Sequence, residues 1–136
     1  MIEWTEDLCI GHPVIDGDHR KLVDIINLFM ASEGRLDERV ILSNTLRLLV
    51  EYAKGHFARE EQIQREAMYP YMEMHVAEHK VLMVQLTGIV QSLFIEKSKP
   101  LDKRALSEVR SLLKCWLTDH IRKFDTNMRD WVAPSK

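Results

Sequence analysis

The feature of this sequence that most constrains its fold is a set of apolar stripes with helical spacing, into which histidines are set. One stripe, at alternating steps of four and three residues, consists of Leu42, Leu46, Leu49, Ala53, His56, Glu60 and Ile63. Another consists of Met72, His75, His79, Leu82, Leu86, Ile89 and Leu93. Such spacing places each stripe on one face of an α-helix. The sequence therefore predicts core-facing helices in which polar groups occupy positions that usually hold leucine.

Capping and helix-breaking residues divide the chain into four predicted helices. Their starts are marked by Asp16, Asp37, Pro70 and Asp102, and their ends fall near Ala31, Ala67, Lys97 and Trp131. Aspartate is a common N-cap, and proline is well suited to the first turn of a helix. No segment alternates between apolar and polar residues with the period of two that a sheet needs.

These boundaries predict an all-α fold, an up-down-up-down four-helix bundle with short connections. We expect one domain over residues 1–136, because a chain of this length supports a single core. Within it, residues 1–15 form an N-terminal arm, residues 16–131 the bundle and residues 132–136 a tail.

Composition disfavours several classes of partner. The net charge of -2 and the pI near 6.3 offer no basic patch for nucleic acid or an anionic membrane. No apolar run approaches the roughly 20 residues of a membrane span. Residues 1–20 lack the basic start and apolar run of a signal peptide, so we expect a soluble, cytoplasmic protein. We expect Cys9 and Cys115 to be buried thiols, and His12 to be a surface or loop residue.

The polar members of the stripes should meet at one level of the bundle. His19 opens the first helix and His75 and His79 open the third, whereas the others fall late in the second and fourth helices. In an up-down-up-down bundle these places lie at the same end. Imidazole and carboxylate are ligands of iron and other first-row transition metals, and burying several of them without a partner is costly. The sequence therefore predicts a metal site formed by His19, His56, Glu60, His75, His79, His120 and Asp125.

Helical spacing predicts the direction of one carboxylate and leaves the direction of another open. Glu60 lies about 40° around the helix from His56, whereas Glu61 lies about 140° away and is expected to face solvent. Asp125 is about 140° from His120 on an ideal helix, and Asp119 competes at about 100°. A local helix distortion or a position between two metals would make the offset of Asp125 natural.

Several segments together resemble the hemerythrin family, in particular its bacterial branch. The resemblance rests on Ile15-Asp16-Gly17-Asp18-His19-Arg20-Lys21-Leu22, His56-Phe57-Ala58-Arg59-Glu60-Glu61, Tyr69-Pro70, His75 to His79, and Trp116-Leu117-Thr118-Asp119-His120-Ile121 with Asp125. It covers Trp4 to about Trp131. Gln64 departs from the family pattern, in which methionine is common, and this amide could face solvent or reach the pocket.

The resemblance implies a four-helix bundle that holds two iron ions joined by an oxo or hydroxo bridge. It assigns His75, His79 and His120 to one iron, and His19 and His56 to the other. It also makes Glu60 and Asp125 bridges between the two ions, which favours Asp125 over Asp119.

The function implied by the resemblance is reversible dioxygen binding for carriage, storage or delivery. The alternative is a sensory input module that reports oxygen or redox state to an attached signalling domain. An enzyme is the least favoured, because we find no separate acid, base or nucleophile beside the expected ligands. Apolar residues within a turn of the ligands should wall a dry pocket, and Trp116 and Leu117 are the best candidates to line it for dioxygen.

Overall fold

Four long helices make up most of the chain in the computed structural model, which describes residues 1–97 and 100–133. They are α1 (Pro13–Met30), α2 (Glu38–Glu66), α3 (Met72–Val90) and α4 (Lys103–Lys123), followed by the short α5 (Arg129–Val132). Single 3-10 turns cover Glu6–Leu8 and Asp125–Met128, and a π-helical turn covers Gln91–Ile95. The described ranges contain no strand. The predicted all-α four-helix bundle is thus confirmed.

The start of α1 differs from the prediction. The helix begins at Pro13, and His12 is its N-cap, with Nδ1 accepting a hydrogen bond from the Val14 amide at 3.2 Å. Pro13 fixes a helical φ and lacks the N–H that a first-turn residue could not pair, which favours this earlier start. Asp16 is therefore not the N-cap as predicted. Its carboxylate accepts hydrogen bonds from the backbone amides of Ile10 and Gly11, and so fixes the N-terminal arm to the helix.

Two of the other predicted starts lie close to the observed ones. Asp37 and Asp102 immediately precede α2 and α4 as expected. Asp102 caps its helix, because its side chain accepts a hydrogen bond from the Ala105 amide at 2.9 Å. The Asp37 side chain instead accepts a hydrogen bond from Arg35.

The start of the third helix and the end of the fourth differ from the prediction. The third helix begins at Met72, two residues after Pro70. The π-helical turn that follows Val90 continues the helical chain to Ile95, close to the predicted end near Lys97. Ser98, which follows the predicted end near Lys97, lies outside the described residues. The fourth helix does not continue to Trp131 but ends at Lys123, because the backbone at Phe124 leaves the ideal helical conformation with φ −115° and ψ −56°. Residues 134–136 of the predicted tail also lie outside the described ranges.

The core runs along the bundle axis. α1 packs on α2 and α4, and α2 also packs on α3. Away from the histidines the core is mostly apolar, with buried side chains that include Ile26, Phe29, Leu42, Leu46, Leu49, Leu86 and Leu113. The N-terminal arm covers part of it, and the Asn27 side chain pairs with both backbone groups of Ile2.

The cysteines are placed differently from the prediction. Both are free, but Cys9 is only half-buried and Cys115 is exposed. Cys115 precedes the core residue Trp116, and this one-residue offset turns its side chain away from the apolar face of α4. None of the described helices is both long and apolar enough to cross a membrane.

Candidate metal centre

Side chains from all four long helices converge near one end of the bundle. α1 contributes one histidine, α2 a histidine and a glutamate, α3 two histidines, and α4 with the turn after it a histidine and an aspartate. Each is at most 5% exposed: His19, His56, Glu60, His75, His79, His120 and Asp125. The helical stripes account for this, since each histidine replaces an apolar residue on the core-facing side of its helix.

The donor atoms form two overlapping groups, within each of which all atoms lie within 4.8 Å of one another. One group consists of Glu60, His75, His79, His120 and Asp125, and the other of His19, His56, Glu60 and Asp125. The first is called the three-histidine half below, and the second the two-histidine half. The two carboxylates belong to both halves.

Glu60 presents one oxygen to each half. Its Oε1 lies 2.7 Å from His75 Nε2 and 3.1 Å from His79 Nε2. Its Oε2 lies 3.0 Å from His56 Nε2 and 3.5 Å from His19 Nε2. A carboxylate with its two oxygens directed to two groups of imidazoles has the orientation of a bridging ligand.

Asp125 has the same arrangement. Its Oδ1 lies 2.7 Å from His75 Nε2 and 2.9 Å from His120 Nε2, and its Oδ2 lies 3.0 Å from His19 Nε2. The end of α4 explains its direction, because Asp125 begins a 3-10 turn and leaves the helical rotation that would have turned it away. Asp119, the competing residue, is exposed.

The chemistry of these donors fits a pair of first-row transition metal ions. At bond lengths of about 2.1 Å and right-angle geometry, neighbouring ligand atoms of one ion lie about 3.0 Å apart, which is close to the distances observed. Several of these buried atoms also lack a hydrogen-bond partner among the described residues, including both oxygens of Asp125 and Nε2 of His19, His56, His75 and His120. Atoms that are close together without hydrogen-bonding angles are directed at common points between them, as metal ligands are.

The electrostatics also favour a cation. Burial raises the pKa of Glu60, but the surrounding imidazoles, His19 and His56 first among them, outweigh burial and hold this pKa well below its usual value. The pKa of Asp125 is likewise low, because its imidazole neighbours outweigh burial and the charge of Glu60. For His19, burial lowers the pKa, but the carboxylates of Asp125 and Glu60 raise it to about 10. Both carboxylates are therefore ionised at neutral pH, and the site offers two negative charges.

Two ligand-position histidines are held from behind by carboxylates that the sequence did not indicate. His79 Nδ1 lies 2.8 Å from Glu61 Oε2, and the His79 ring stacks on Phe57 at 4.0 Å between centroids. The prediction that Glu61 faces solvent is therefore wrong, since this side chain reaches across from α2 to α3 and is only 24% exposed. On the other half, His56 Nδ1 lies 3.0 Å from Asp18 Oδ2.

A small internal cavity of about 10 Å³ adjoins the cluster. A space of this size admits the centre of about one water-sized molecule. Its walls are His19, Leu22, His56, Phe57, Leu82, Trp116, Leu117 and His120. Leu82 was missed from sequence, although its position three residues after His79 on the same stripe could have indicated it.

A larger groove of about 460 Å³ opens at the surface between α3 and α4. Leu82, Trp116 and His120 line both this groove and the internal cavity. The indole N–H of Trp116 donates to the Leu82 carbonyl at 3.1 Å, so that a hydrogen bond joins the two helices at this wall. Only a thin layer of side chains thus separates the outer groove from the cavity.

Gln64 lies one turn after Glu60 and is fully buried, which excludes the solvent-facing alternative. Its amide lies 3.2 Å from the sulfur of Met128 and does not line the internal cavity. It therefore packs beneath the cluster, beside the turn that carries Asp125.

Comparison with known proteins agrees with this geometry. Residues 11–132 match the family described as Hemerythrin HHE cation binding domain. The chain is 32% identical over 133 residues to a bacteriohemerythrin of Pseudomonas aeruginosa, and 29% identical over 132 residues to one of Stenotrophomonas maltophilia. Both alignments cover 97% of this chain and 82% of the relative. A bacteriohemerythrin of Clostridium acetobutylicum is 26% identical over 133 residues, which cover 96% of this chain and 100% of the relative.

Proposed function

The chain belongs to the hemerythrin HHE cation-binding domain family, and from that premise we propose that it holds two iron ions and binds dioxygen reversibly at one of them. The family and the buried cluster of histidines and carboxylates together indicate a non-haem iron site. The presence of two ions is inferred from the direction of the shared carboxylates, and dioxygen binding is inferred from the cavity beside them.

The observation that carries the proposal is the direction of the two shared carboxylates. Glu60 and Asp125 each turn one oxygen to the three-histidine half and the other to the two-histidine half. With one metal ion, half of these oxygens would stay buried and unpaired, which is energetically costly. Two ions pair all four oxygens. The proposed ligands are His75, His79 and His120 for one ion, His19 and His56 for the other, and Glu60 and Asp125 as bridges.

When bound, the iron pair supplies the electrons and the open coordination position that reversible dioxygen binding requires. The two-histidine half has one protein ligand fewer, so the vacancy is expected there. The position of the internal cavity supports this assignment, because His19 and His56 form part of its wall. The cavity has room for about one molecule of the size of water, which favours a small ligand such as dioxygen over a larger substrate.

The walls of the cavity favour binding over catalysis. Among the described residues that line it, the polar side chains besides the indole of Trp116 are histidines of the cluster, and the rest are apolar. The indole N–H of Trp116 is occupied by the Leu82 carbonyl. The apolar residues of the lining, Leu117 among them, exclude water and so would slow the loss of oxygen as a charged species.

Dioxygen is expected to reach the cavity through the groove between α3 and α4. The thin wall formed by Leu82 and Trp116 separates the two spaces, and a brief movement of either side chain would connect them. Such side-chain movements occur without unfolding of the helices and on fast timescales.

The proposal is tested by the iron content and the visible spectrum of the reduced protein before and after exposure to air. We expect about two irons per chain and an absorption band that appears with oxygen and is reversed by nitrogen purging. His79→Ala should lose iron, and His12→Ala is the matched histidine control outside the cluster. A protein that retains two irons but shows no oxygen-dependent band would contradict dioxygen binding, and a single tightly bound ion would contradict the paired centre.

A further inference from the structure

A buried carboxylate lies directly behind His56, on the side away from the cluster. Asp18 is 7% exposed and precedes His19 in α1. Its Oδ2 lies 3.0 Å from Nδ1 of His56, whose Nε2 lies 3.0 Å from the shared carboxylate of Glu60. The His56 ring thus connects Asp18 on one side with the proposed metal position on the other.

Asp18 is itself held by several donors. Tyr52 donates its hydroxyl to Oδ1 at 2.8 Å. Arg59 donates from Nε to Oδ2 at 2.8 Å and from its terminal nitrogen to Oδ1 at 3.0 Å, in a bidentate pair. Tyr52, His56 and Arg59 lie on one face of α2 at steps of four and three residues. A carboxylate with this many charge-assisted and neutral bonds has little freedom to rotate.

The arrangement determines which nitrogen of His56 faces the cluster. A neutral imidazole has one N–H, and an ionised carboxylate only accepts hydrogen bonds. Asp18 therefore favours the proton on Nδ1, and this leaves the lone pair of Nε2 directed at the metal position. A carboxylate behind a ligand histidine also makes the imidazole a stronger donor.

The other histidines allow an internal comparison. Nδ1 of His19 and Nδ1 of His120 have no hydrogen-bond partner in the part of the chain that the structure describes. His79 has Glu61 behind it, but that side chain is 24% exposed, whereas the Asp18 side chain is 9% exposed. In the two-histidine half, His56 is thus braced through Nδ1 and His19 is not.

We propose that Asp18 is a positioning residue, which fixes the tautomer and ring orientation of His56 and thereby sets the affinity of the two-histidine half for its metal. This inference rests on the proposed metal centre, and it concerns the half that is expected to receive dioxygen. Arg59 and Tyr52 act through Asp18 by holding its carboxylate in place.

The first experiment needs no variant. In protein loaded with Zn²⁺, which is diamagnetic, the imidazole N–H protons can be assigned by ¹⁵N-edited NMR. We expect the Nδ1 proton of His56 to resonate downfield and to exchange with water more slowly than those of His19 and His120, because it is hydrogen-bonded to a buried carboxylate. If His56 resonates and exchanges like those two histidines, the proposal is wrong.

The second experiment compares variants by Zn²⁺ competition titration and by the same NMR signal. Asp18→Asn should weaken Zn²⁺ binding at the two-histidine half, which has fewer protein ligands, by about 10–100-fold and shift the His56 signal upfield. Asp18→Glu should restore part of the affinity and part of the shift. Asp24→Asn, at an exposed site on the same helix, is the matched control and should change neither.

The outcomes separate this inference from the proposed function. If wild-type protein binds two metal ions with a downfield His56 signal but iron-loaded protein does not respond to oxygen, the positioning role stands and dioxygen binding fails. If the oxygen response is present but Asp18→Asn changes metal affinity by less than about twofold, the positioning role fails. Should Asp18→Asn not fold, Tyr52→Phe removes one bond to Asp18, and an unchanged His56 signal in that variant would count against the proposal.

Discussion

The two ends of the bundle are built from the same helical stripes but differ in what the stripes carry. At one end, leucines such as Leu42, Leu49 and Leu86 are fully buried in the apolar core. Each stabilises the fold by roughly 1.5–3 kcal/mol through loss of apolar surface to water. At the other end, the equivalent stripe positions carry imidazoles and carboxylates. Burial of each charged side chain costs several kcal/mol unless a partner of opposite charge compensates it. The apolar end therefore stabilises the fold, and the polar end is adapted to hold cations.

Helix α2 belongs to both ends, and this makes the comparison testable. Leu49 and Glu60 lie about three turns apart on one stripe, and both are completely buried. Substitution of either residue removes a buried group from the same helix, but the consequences should differ in kind.

The largest effect is expected at the polar end. Glu60→Ala removes an oxygen from each half of the cluster, so each of the two proposed ions would lose a ligand. We expect the iron content to fall from about two per chain to well below one, because the remaining imidazoles cannot balance the charge of the ions. The measurement is metal analysis of folded, gel-filtered protein.

Glu66→Ala is the control for this substitution, since Glu66 lies near the end of the same helix and is exposed. It should retain the full iron content. Retention of two irons by Glu60→Ala would show that Glu60 is not a bridge.

The next effect is expected at the apolar end. Leu49→Ala should lower the free energy of unfolding by about 2–5 kcal/mol, because it leaves a cavity in a close-packed core. Iron per folded chain should not change, since Leu49 lies far along α2 from the cluster. Denaturant unfolding and metal analysis of the same sample provide the two measurements.

Leu48→Ala is the matched control, because Leu48 is adjacent in sequence but 39% exposed. It should cost less than about 1 kcal/mol. A large loss of iron in Leu49→Ala would contradict this separation of roles, because it would show that the apolar end also affects metal binding.

A smaller effect is expected from pH, with opposite signs for the metal-free and iron-loaded protein. Burial lowers the pKa of His19 and His75, but Asp125 and Glu60 outweigh burial and raise these values to about 10 and about 9, from an ordinary value of 6.5. Their contribution to the stability of metal-free protein is fully present below pH 6.5 and is lost as pH rises through 9 to 10. Iron must displace these protons, so its affinity should rise with pH by about tenfold per unit for each proton released.

Isothermal titrations with Fe²⁺ under nitrogen at pH 6.5 and 7.5, in buffers of different ionisation enthalpy, measure both the affinity and the proton release. Thermal unfolding of the metal-free protein at pH 6 and pH 10 measures the opposite trend. Iron affinity that is independent of pH would contradict the charge assignment of the cluster.

The smallest effect is expected at the wall between the cavity and the surface groove. Trp116→Phe removes the hydrogen bond to the Leu82 carbonyl but keeps an aromatic ring, at a cost of about 0.5–1.5 kcal/mol in stability. We expect oxygen release to become several-fold faster, with iron content unchanged, in stopped-flow measurements.

The corresponding control is Trp131→Phe, because Trp131 is 48% exposed and does not line either space. An oxygen release rate that is equal in both variants would indicate another access route.

Much of the fold and of the cluster could be predicted from local spacing. The position of a side chain around a helix follows from the 3.6-residue repeat, so His56 and Glu60 on α2 were placed correctly relative to the core. The up-down-up-down order then predicted that the polar side chains of all four helices lie at one level of the bundle, and the structure brings them together there. Neither step requires knowledge of how closely the helices pack.

Other features depend on contacts between helices or on the irregular end of a helix. The spacing rule placed Glu61 in solvent, but the closeness of α3 lets its carboxylate reach His79. Helical spacing alone left the direction of Asp125 open, because it depends on a break in α4 at Phe124 that periodicity does not reveal. Asp18 was missed for the same reason as Glu61, since its partners lie on the neighbouring helix.

The sequence by itself thus determined an all-α bundle with a ring of buried imidazoles and carboxylates near one end, because helical periodicity and chain direction are local properties. Only the tertiary structure decided which carboxylates brace the histidines from behind, how Asp125 joins both halves, and where a small cavity lies beside them. These depend on distances of a few ångströms between separate helices, which are set by the packing of the whole core and are not encoded in the spacing of any one segment.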